Sequence, residues 1–260
     1  MLNEGLGRSP HIHRPHYHVG LARSESEIRE AQKLRYRVFA EEMGARLETA
    51  EPGVDADHFD PHCEHLIVRD EARGRIVGTY RILTPEGARN TAGYYSETEF
   101  DIGRLNHLRP RLVEVGRSCI DPEYRSGAVI ALLWARLAEY MVSQGYEYLM
   151  GCASISMADG GHNASNLFVE LIDQHLSPIE YRGFPHSRLP YHRLVTGRPA
   201  EVPPLVKGYL RAGAWICGDP AWDPDFNTAD LLVLLPMNRI NLRYMKHFVN
   251  TQGRQHHPRG

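Results

Sequence analysis

Apolar residues at helical and strand spacings divide most of the chain into alternating helices and strands. Residues 24–43, 129–143 and 164–175 carry an apolar residue at every third or fourth position, which predicts three amphipathic helices. The first of these helices has Ser24 and Glu27 in the pattern of a capping box. Four shorter apolar runs predict strands, at residues 65–69, 75–83, 112–120 and 148–155.

The order of these elements predicts a layered α/β fold. A short turn containing glycine separates the first two strands, which should form a hairpin. The helix between the last two strands permits one parallel step in an otherwise antiparallel sheet. We expect a three-layer α/β/α domain around a mixed, mostly antiparallel central sheet. Residues 85–110 are expected to form a polar, irregular connection.

One folded domain between two tails is predicted. Residues 1–18 and 250–260 are polar and rich in histidine, so we expect flexible tails there. The domain then covers residues 19–249, and its last part, residues 205–249, follows a proline-rich stretch and is expected to be an extension of helix, strand and helix. The histidine clusters lack the framework that fixes a metal, and no metal site is predicted.

Composition and charge limit the classes of function that the sequence is expected to have. The formal net charge of −2 gives no general attraction to nucleic acid, so no nucleic-acid partner is predicted. No apolar run approaches the roughly 20 residues of a membrane span, and the N-terminus lacks the apolar core of a secretory signal. We therefore expect a cytoplasmic protein. The four cysteines form no C-x-x-C pair, and four free thiols are expected.

The most informative segment places two charges inside an apolar strand, Glu114 and Arg117. Residues three apart face opposite sides of a regular strand, so a bulge at Gly116 is needed to bring both side chains to one cleft. Buried charges are costly unless they are paired or used. The pattern alone leaves two interpretations open, a buried ion pair and a functional site.

Directly after this strand, residues 124–128 combine Arg125 with small residues at the predicted start of a helix. Free backbone N–H groups at such a helix start can bind a phosphate group, assisted by the helix dipole. The segment is therefore a candidate phosphate loop.

Several motifs together resemble known acyltransferases. Strand, bulge, phosphate loop and helix in this order resemble the GNAT acyltransferase superfamily. The chain is also similar to acyl-homoserine-lactone synthases, and most similar to the bacterial L-ornithine N-alpha-acyltransferases of ornithine lipid biosynthesis, over residues 19–248. The residues that carry these resemblances are Arg35-x-x-Val38-Phe39, Asp57-x-Phe59-Asp60, Gly78-Thr79-Tyr80-Arg81, Glu114-x-x-Arg117, Tyr124-Arg125-Ser126-Gly127, Met150-Gly151-Cys152-Ala153-Ser154 and Asp225-Phe226-Asn227-Thr228-Ala229-Asp230.

The resemblance implies a reaction. It is transfer of a 3-hydroxyacyl group from acyl carrier protein, through phosphopantetheine, to the α-amine of ornithine, with no bound cofactor. Glu114 is the candidate general base, because a carboxylate in a partly dry strand has a raised pKa. The candidate substrate-binding residues are Arg117, Arg125, Asp57, Asp60, Arg35, Arg81 and Asp230.

Some of these roles have a structural alternative. Arg35 and Arg81 are more readily explained as ion-pair partners of Asp57, Asp60 or Glu114 that hold the first helix to the sheet. Asp230 is a candidate partner for the side-chain amine of ornithine. Acyl carrier protein is acidic, so a cationic docking face is expected near the phosphate loop, at Arg104, Arg109, Arg111 and Arg125.

Two other functions remain open at this point. One is a GNAT enzyme that acetylates a small amine from acetyl-CoA. The other is a non-catalytic sensor of acylated carrier protein. For the acyltransferase, weak peripheral contact with the inner face of the membrane is expected, because its product is a lipid precursor.

Overall fold

The structure is a computed structural model that describes residues 16–240 of the 260-residue chain. In chain order its strands and α-helices are β1 (Tyr17–Leu21), α1 (Glu25–Tyr36), β2 (Glu64–Asp70), β3 (Arg75–Leu83), α2 (Pro85–Asn90), β4 (Phe100–Asp101), β5 (Leu112–Ile120), α3 (Ala128–Gln144), β6 (Tyr148–Ser156), α4 (His162–His175), β7 (Phe184–Pro185), α5 (Tyr191–Leu194), α6 (Pro204–Ala212), β8 (Trp215–Ile216), β9 (Ala221–Asp223) and β10 (Thr228–Pro236).

One eight-stranded sheet organises the fold. Strands β1, β2, β3, β5, β6, β10 and β8 lie side by side in that order, and β9 pairs with β10. Neighbouring strands are antiparallel except β5 and β6, which are parallel and are joined by α3. A helical crossover is the usual connection of a parallel pair. The predicted mixed, mostly antiparallel sheet is confirmed.

Helices cover both faces of the sheet. Along β2, Leu66 and Val68 belong to the apolar cluster that contains Leu133 of α3, whereas Ile67 belongs to the cluster that contains Leu34 of α1. Successive side chains of a strand point to opposite faces, so α1 and α3 lie on opposite sides. The three-layer arrangement is confirmed. No helix within residues 16–240 is long and apolar enough to cross a membrane.

The N-terminal part differs from the sequence-based expectation in two places. β1 starts at Tyr17, so Tyr17 and His18, which were assigned to the flexible tail, belong to a strand that pairs with β2. The first helix begins as predicted, with the Ser24 hydroxyl accepting from Glu27 N at 3.3 Å. It then changes to π-helix over Arg37–Glu42. Such turns are common at functional sites, and this one borders the cavity described below.

Two further segments need correction. Residues 85–110 are more ordered than expected, since they contain α2, β4 and 3₁₀ turns at Tyr95–Thr98 and Gly103–Arg111. In the predicted C-terminal extension, α6 and β10 are present, but β10 lies between β6 and β8 inside the main sheet. The remainder of the two predicted tails and the last predicted helix fall outside the described residues.

Candidate active site

A wedge-shaped opening between β5 and β6 is the centre of the candidate site. Their parallel pairing runs from Leu112 opposite Tyr148 to Glu114 opposite Met150 and stops there. A cavity of about 670 Å³ is lined by both strands beyond that point. A β-carbon on Gly151 would lie 2.3 Å from the carbonyl oxygen of Val115, so only glycine fits where the strands begin to diverge.

A bulge in β5 accompanies the opening. Thr79 of β3 lies opposite Cys119, but Arg81 lies opposite Gly116, so β5 carries one extra residue between these pairs. Arg117 has a left-handed backbone, φ 49°. The bulge was predicted at Gly116 and lies one residue later, because Gly116 keeps its place opposite Arg81. The predicted consequence is confirmed, since Glu114 and Arg117 line the same cavity.

Glu114 is held by the 3₁₀ turn Tyr95–Thr98, which precedes it in the chain. Its Oε2 accepts from Tyr95 N at 2.6 Å, and its Oε1 accepts from Ser96 N at 2.7 Å and from the Ser96 hydroxyl. The side chain is buried. Burial raises the pKa of Glu114, against the opposing effect of these three donors. A carboxylate with a raised pKa at the start of the opening can take up a proton there.

Three arginines and three aspartates form one buried ion network beside the cavity. Arg35 donates to Asp55 at 2.8 Å and to Asp60 at 2.6 Å. Arg81 donates to Asp57 at 2.6 Å. Arg117 lies 3.3 Å from both Asp55 and Asp57. The network joins α1, β3, β5 and the loop at residues 55–60, so the sequence-derived expectation of a structural network holds for Arg35 and Arg81.

The network changes the roles expected for several residues. Arg35 is fully buried, and neither it nor Asp57 or Asp60 is among the described residues that line the cavity. These three residues, predicted to bind substrate, therefore lie in the ion network and outside the described lining of the cavity. Arg81 and Arg117 belong to the network and also line the cavity.

The candidate phosphate loop lies at one mouth of the cavity. Gly127 has φ 101° and precedes the first residue of α3, and Arg125 and Gly127 both line the cavity. The first N–H groups of an α-helix have no partner within the helix and can receive a phosphate. Arg125 donates to both carboxylate oxygens of Glu42, at 2.5 and 2.7 Å, so it links this loop to the π-helical turn.

Apolar and aromatic side chains form a further wall. They come from the π-helical turn, α3 and α6: Phe39, Ile130, Trp134, Leu205 and Tyr209. The Trp134 and Tyr209 rings stack with their centroids 5.6 Å apart, and the Tyr209 hydroxyl lies 2.6 Å from that of Tyr80. Such a wall suits an alkyl chain.

A cluster of three carboxyl groups occupies another part of the site. Oxygens of Glu99, Asp223 and Asp230 lie within 4.8 Å of one another. Burial and the charge of Asp230 raise the pKa of Glu99 well above its ordinary value. Asp230 was predicted from the sequence, but Glu99 and Asp223 were not. Glu99 lies in the connection between β3 and β5, and Asp223 lies in the three-residue strand β9. No sequence spacing relates either residue to Asp230.

The four arginines expected to form a docking face do not lie together. Arg104, Arg109 and Arg111 precede β5, whereas Arg125 follows it. β5 has nine residues, which separates its ends by roughly 26 Å. Arg109 and Arg111 also form ion pairs, with Glu97 and Glu147. The single cationic face is therefore a wrong prediction.

Known proteins share this architecture. Residues 34–135 match the acetyltransferase (GNAT) domain family. An L-ornithine N(alpha)-acyltransferase of Brucella abortus (strain 2308) is 41% identical over 246 residues, which cover 88% of each chain. The chain belongs to the L-ornithine N(alpha)-acyltransferase family. The resemblance found from the sequence motifs is thereby confirmed.

Solved structures agree at the level of fold. A CoA-dependent acyl-homoserine lactone synthase, BjaI, with MTA, superposes with a TM-score of 0.54 at 16% identity, covering 88% of this chain and 83% of that one. FeeM, an N-acyl amino acid synthase from uncultured soil microbes, superposes with a TM-score of 0.52 at 14% identity, covering 88% of this chain and 97% of that one. The GNAT-like fold is confirmed, and this member of the ornithine acyltransferase family is an enzyme.

The four cysteines are free thiols, as predicted.

Proposed function

We propose that the protein transfers a 3-hydroxyacyl group from acyl carrier protein to the α-amine of ornithine. The observation that carries this proposal is the opening between β5 and β6, with Glu114 where it begins and Arg125 at its mouth. An opening of this kind admits an extended thioester arm between the strands. The reaction is placed in the cytoplasm, with weak peripheral contact at the inner face of the membrane that receives the amphiphilic product.

The donor side uses the loop and the apolar wall. The phosphate of phosphopantetheine is bound by Arg125 and the first N–H groups of α3. The phosphate competes with Glu42, which forms an ion pair with the guanidinium group of Arg125 in the structure. The acyl chain lies along the wall that contains Trp134 and Tyr209, where its apolar surface is removed from water.

The chemical step joins the α-nitrogen to the acyl carbon. The α-ammonium first gives a proton to Glu114, and the neutral amine then attacks the thioester carbonyl. The amide C–N bond forms, the C–S bond breaks, and the pantetheine sulfur takes the proton held by Glu114 and leaves as a thiol. The nitrogen gives its second proton to Glu114, which releases it to water. Beyond Glu114 the edge of β5 is no longer paired with β6. Its N–H groups can stabilise the oxyanion of the intermediate.

The test is an acceptor and donor screen with the full chain. Purified protein is incubated with 3-hydroxyacyl carrier protein and ornithine, and the expected results are N-acylornithine by mass spectrometry and one free thiol per product. Acetyl-CoA replaces the donor in a parallel reaction. Efficient acetylation with no use of the acylated carrier, or binding of the carrier without thiol release, contradicts the proposal.

A further inference from the structure

We propose that Glu99, Asp223 and Asp230 form a cation site that binds the side-chain ammonium of a diamino acid acceptor and so selects it. This inference rests on the proposed function and names the part of the site that recognises ornithine. Here the three residues are called the carboxyl triad. They come from the turn after residues 95–98, from β9 and from β10.

The geometry of the triad fits an ammonium group. Because the three oxygens are within 4.8 Å of one another, a nitrogen placed centrally lies no more than about 2.8 Å from each. An ammonium group has three N–H donors, one for each carboxyl group. Asp223 uses one oxygen to accept from Asp225 N and Phe226 N, so its other oxygen remains for a ligand.

The triad lacks any protein cation to balance it. No arginine, lysine or histidine among residues 16–240 forms an ion pair with Glu99, Asp223 or Asp230. In the ion network beside the cavity, Asp55, Asp57 and Asp60 are matched with arginines, whereas Glu114 is held by N–H and O–H donors. Burial and the neighbouring carboxyl groups raise the pKa values of Glu99 and Asp230, so the triad holds protons when no cation is present, and a bound ammonium group would favour its ionised form.

Several shielded polar atoms of the triad and of its neighbour Thr228 lack a hydrogen-bond partner. Asp230 is 3% exposed, lines the cavity and leaves Oδ1 without a hydrogen-bond partner. Thr228, also 3% exposed and also lining the cavity, leaves Oγ1 without one. Glu99 is not among the described residues that line the cavity, and its two carboxyl oxygens are shielded and lack a hydrogen-bond partner. A ligand with several N–H donors would satisfy these acceptors together.

The triad is close to the proposed base. Ser96 Oγ donates to Glu114 and lies 3.4 Å from Cys152 Sγ. The Cys152 thiol in turn is surrounded by the charges of Glu99, Asp230 and Glu114, which together with burial raise its pKa. Ser96 and Cys152 therefore connect the surroundings of Glu114 with those of the triad. The two nitrogens of ornithine, five bonds apart, span about 6 Å when extended, and the inference requires the two nitrogen positions to be separated by this distance.

The experiment compares ornithine with norvaline, which has the same carbon chain without the terminal amine. The acyl donor is 3-hydroxyacyl carrier protein, and kcat/KM is measured for each acceptor. The wild type should prefer ornithine by at least about 100-fold. Asp230→Asn and Glu99→Gln should each lower kcat/KM for ornithine by about 10-fold or more and leave norvaline unchanged. Asp225→Asn, exposed and outside the cavity lining, is the matched control and should behave as wild type.

Equal use of both acceptors by the wild type overturns the inference, and so does an equal loss on both acceptors in the variants. Metal analysis is run alongside, and a tightly held divalent ion that Asp230→Asn loses also overturns it. If no amino acid is acylated at all, the proposed function fails instead. Thermal unfolding then still tests the triad, because ornithine should raise the wild-type midpoint, norvaline should not, and Asp230→Asn should abolish the shift.

Discussion

Glu114 contributes both to the stability of the fold and to the proposed proton transfer, so one substitution should affect both. All three donors on its carboxylate come from Tyr95 and Ser96, and two of them are backbone N–H groups. In Glu114→Gln an NH₂ group must face at least one of these donors, which costs about 1–3 kcal/mol of stability. We also expect turnover per folded molecule to fall by roughly 10²-fold, with partial recovery at higher pH where more amine is neutral. Unfolding and pH–rate measurements on this variant check both effects.

Ser96→Ala is the matched control for Glu114. It removes a donor from the same carboxylate and keeps the charge. Because the Ser96 hydroxyl lowers the pKa of Glu114, its loss should raise that pKa and move the acidic limb of the pH–rate profile to higher pH. Near-normal turnover of folded Glu114→Gln, or an unmoved profile in Ser96→Ala, would remove Glu114 as the base.

Arg125 should act mainly on donor affinity. Arg125→Ala removes a phosphate contact made both before and during the reaction, so KM for the acylated carrier should rise while kcat changes little. Glu42→Gln should do the opposite and lower this KM, by no more than about fivefold, because the Arg125–Glu42 pair is partly exposed and weak. Steady-state kinetics with varied donor measures both, and unchanged KM in both variants would contradict the phosphate role.

Among single residues, sequence reasoning succeeds where a local pattern exists. Glu114 and Arg117 stand out because charges interrupt an apolar strand, and Arg125 because it precedes a helix start. Glu99 and Asp223 give no such signal. They meet Asp230 only because β9 pairs with β10 and because the turn at residues 95–98 lies against Glu114.

At the scale of elements, the ion network ties α1 to the sheet, and it should govern acid stability. Arg35 and Arg81 lower the pKa of Asp60 below its ordinary value despite burial. A carboxyl group with a lowered folded pKa stabilises the protein above its unfolded pKa, near 4, and this stability is lost as the pH falls below that value. The free energy of unfolding should therefore decline on acidification from about pH 5 downward.

Arg35→Met tests the source of this acid sensitivity. The variant removes one of the two arginines that pair with each of Asp55 and Asp60, so about 3–5 kcal/mol of stability should be lost at neutral pH. The remaining dependence on acid should be shallower. Arg35→Lys, which keeps the charge, serves if the first variant does not fold. Urea titrations from pH 3 to 7 make the comparison, and an acid limb as steep as that of wild type would exclude the network as its cause.

The strands and helices that were predicted correctly are those with a strong local pattern of apolar residues. β3 and β5 occur at the predicted bounds, and α3 and α4 differ by one or two residues at their ends, because long apolar patterns end at glycine or proline. β1, β4, β7, β8 and β9 were missed. These strands are short or depend on pairing with distant segments, so tertiary contacts rather than local preference determine them.

On the scale of the whole molecule, α6 closes the cavity against α3. A β-carbon on Gly208 would lie 2.0 Å from the Trp134 ring, so Gly208→Ala must separate the two helices. We expect a loss of about 1–3 kcal/mol in stability and a changed preference for acyl chain length, since this contact borders the apolar wall. Thermal unfolding and a series of acyl donors measure these effects. Lys207→Ala, on the exposed side of α6, is the control, and identical behaviour of the two variants would contradict the prediction.

The position of β10 has a consequence for synthesis of the protein. β6 is complete at residue 156, but the strand that covers its other edge begins only at residue 228, about 70 residues later. While the ribosome makes the intervening segment, the nascent chain presents an apolar strand with unpaired backbone groups. Chains released before residue 228 would keep that edge exposed, so premature termination should produce aggregation-prone fragments and substrates for chaperones rather than partly active enzyme.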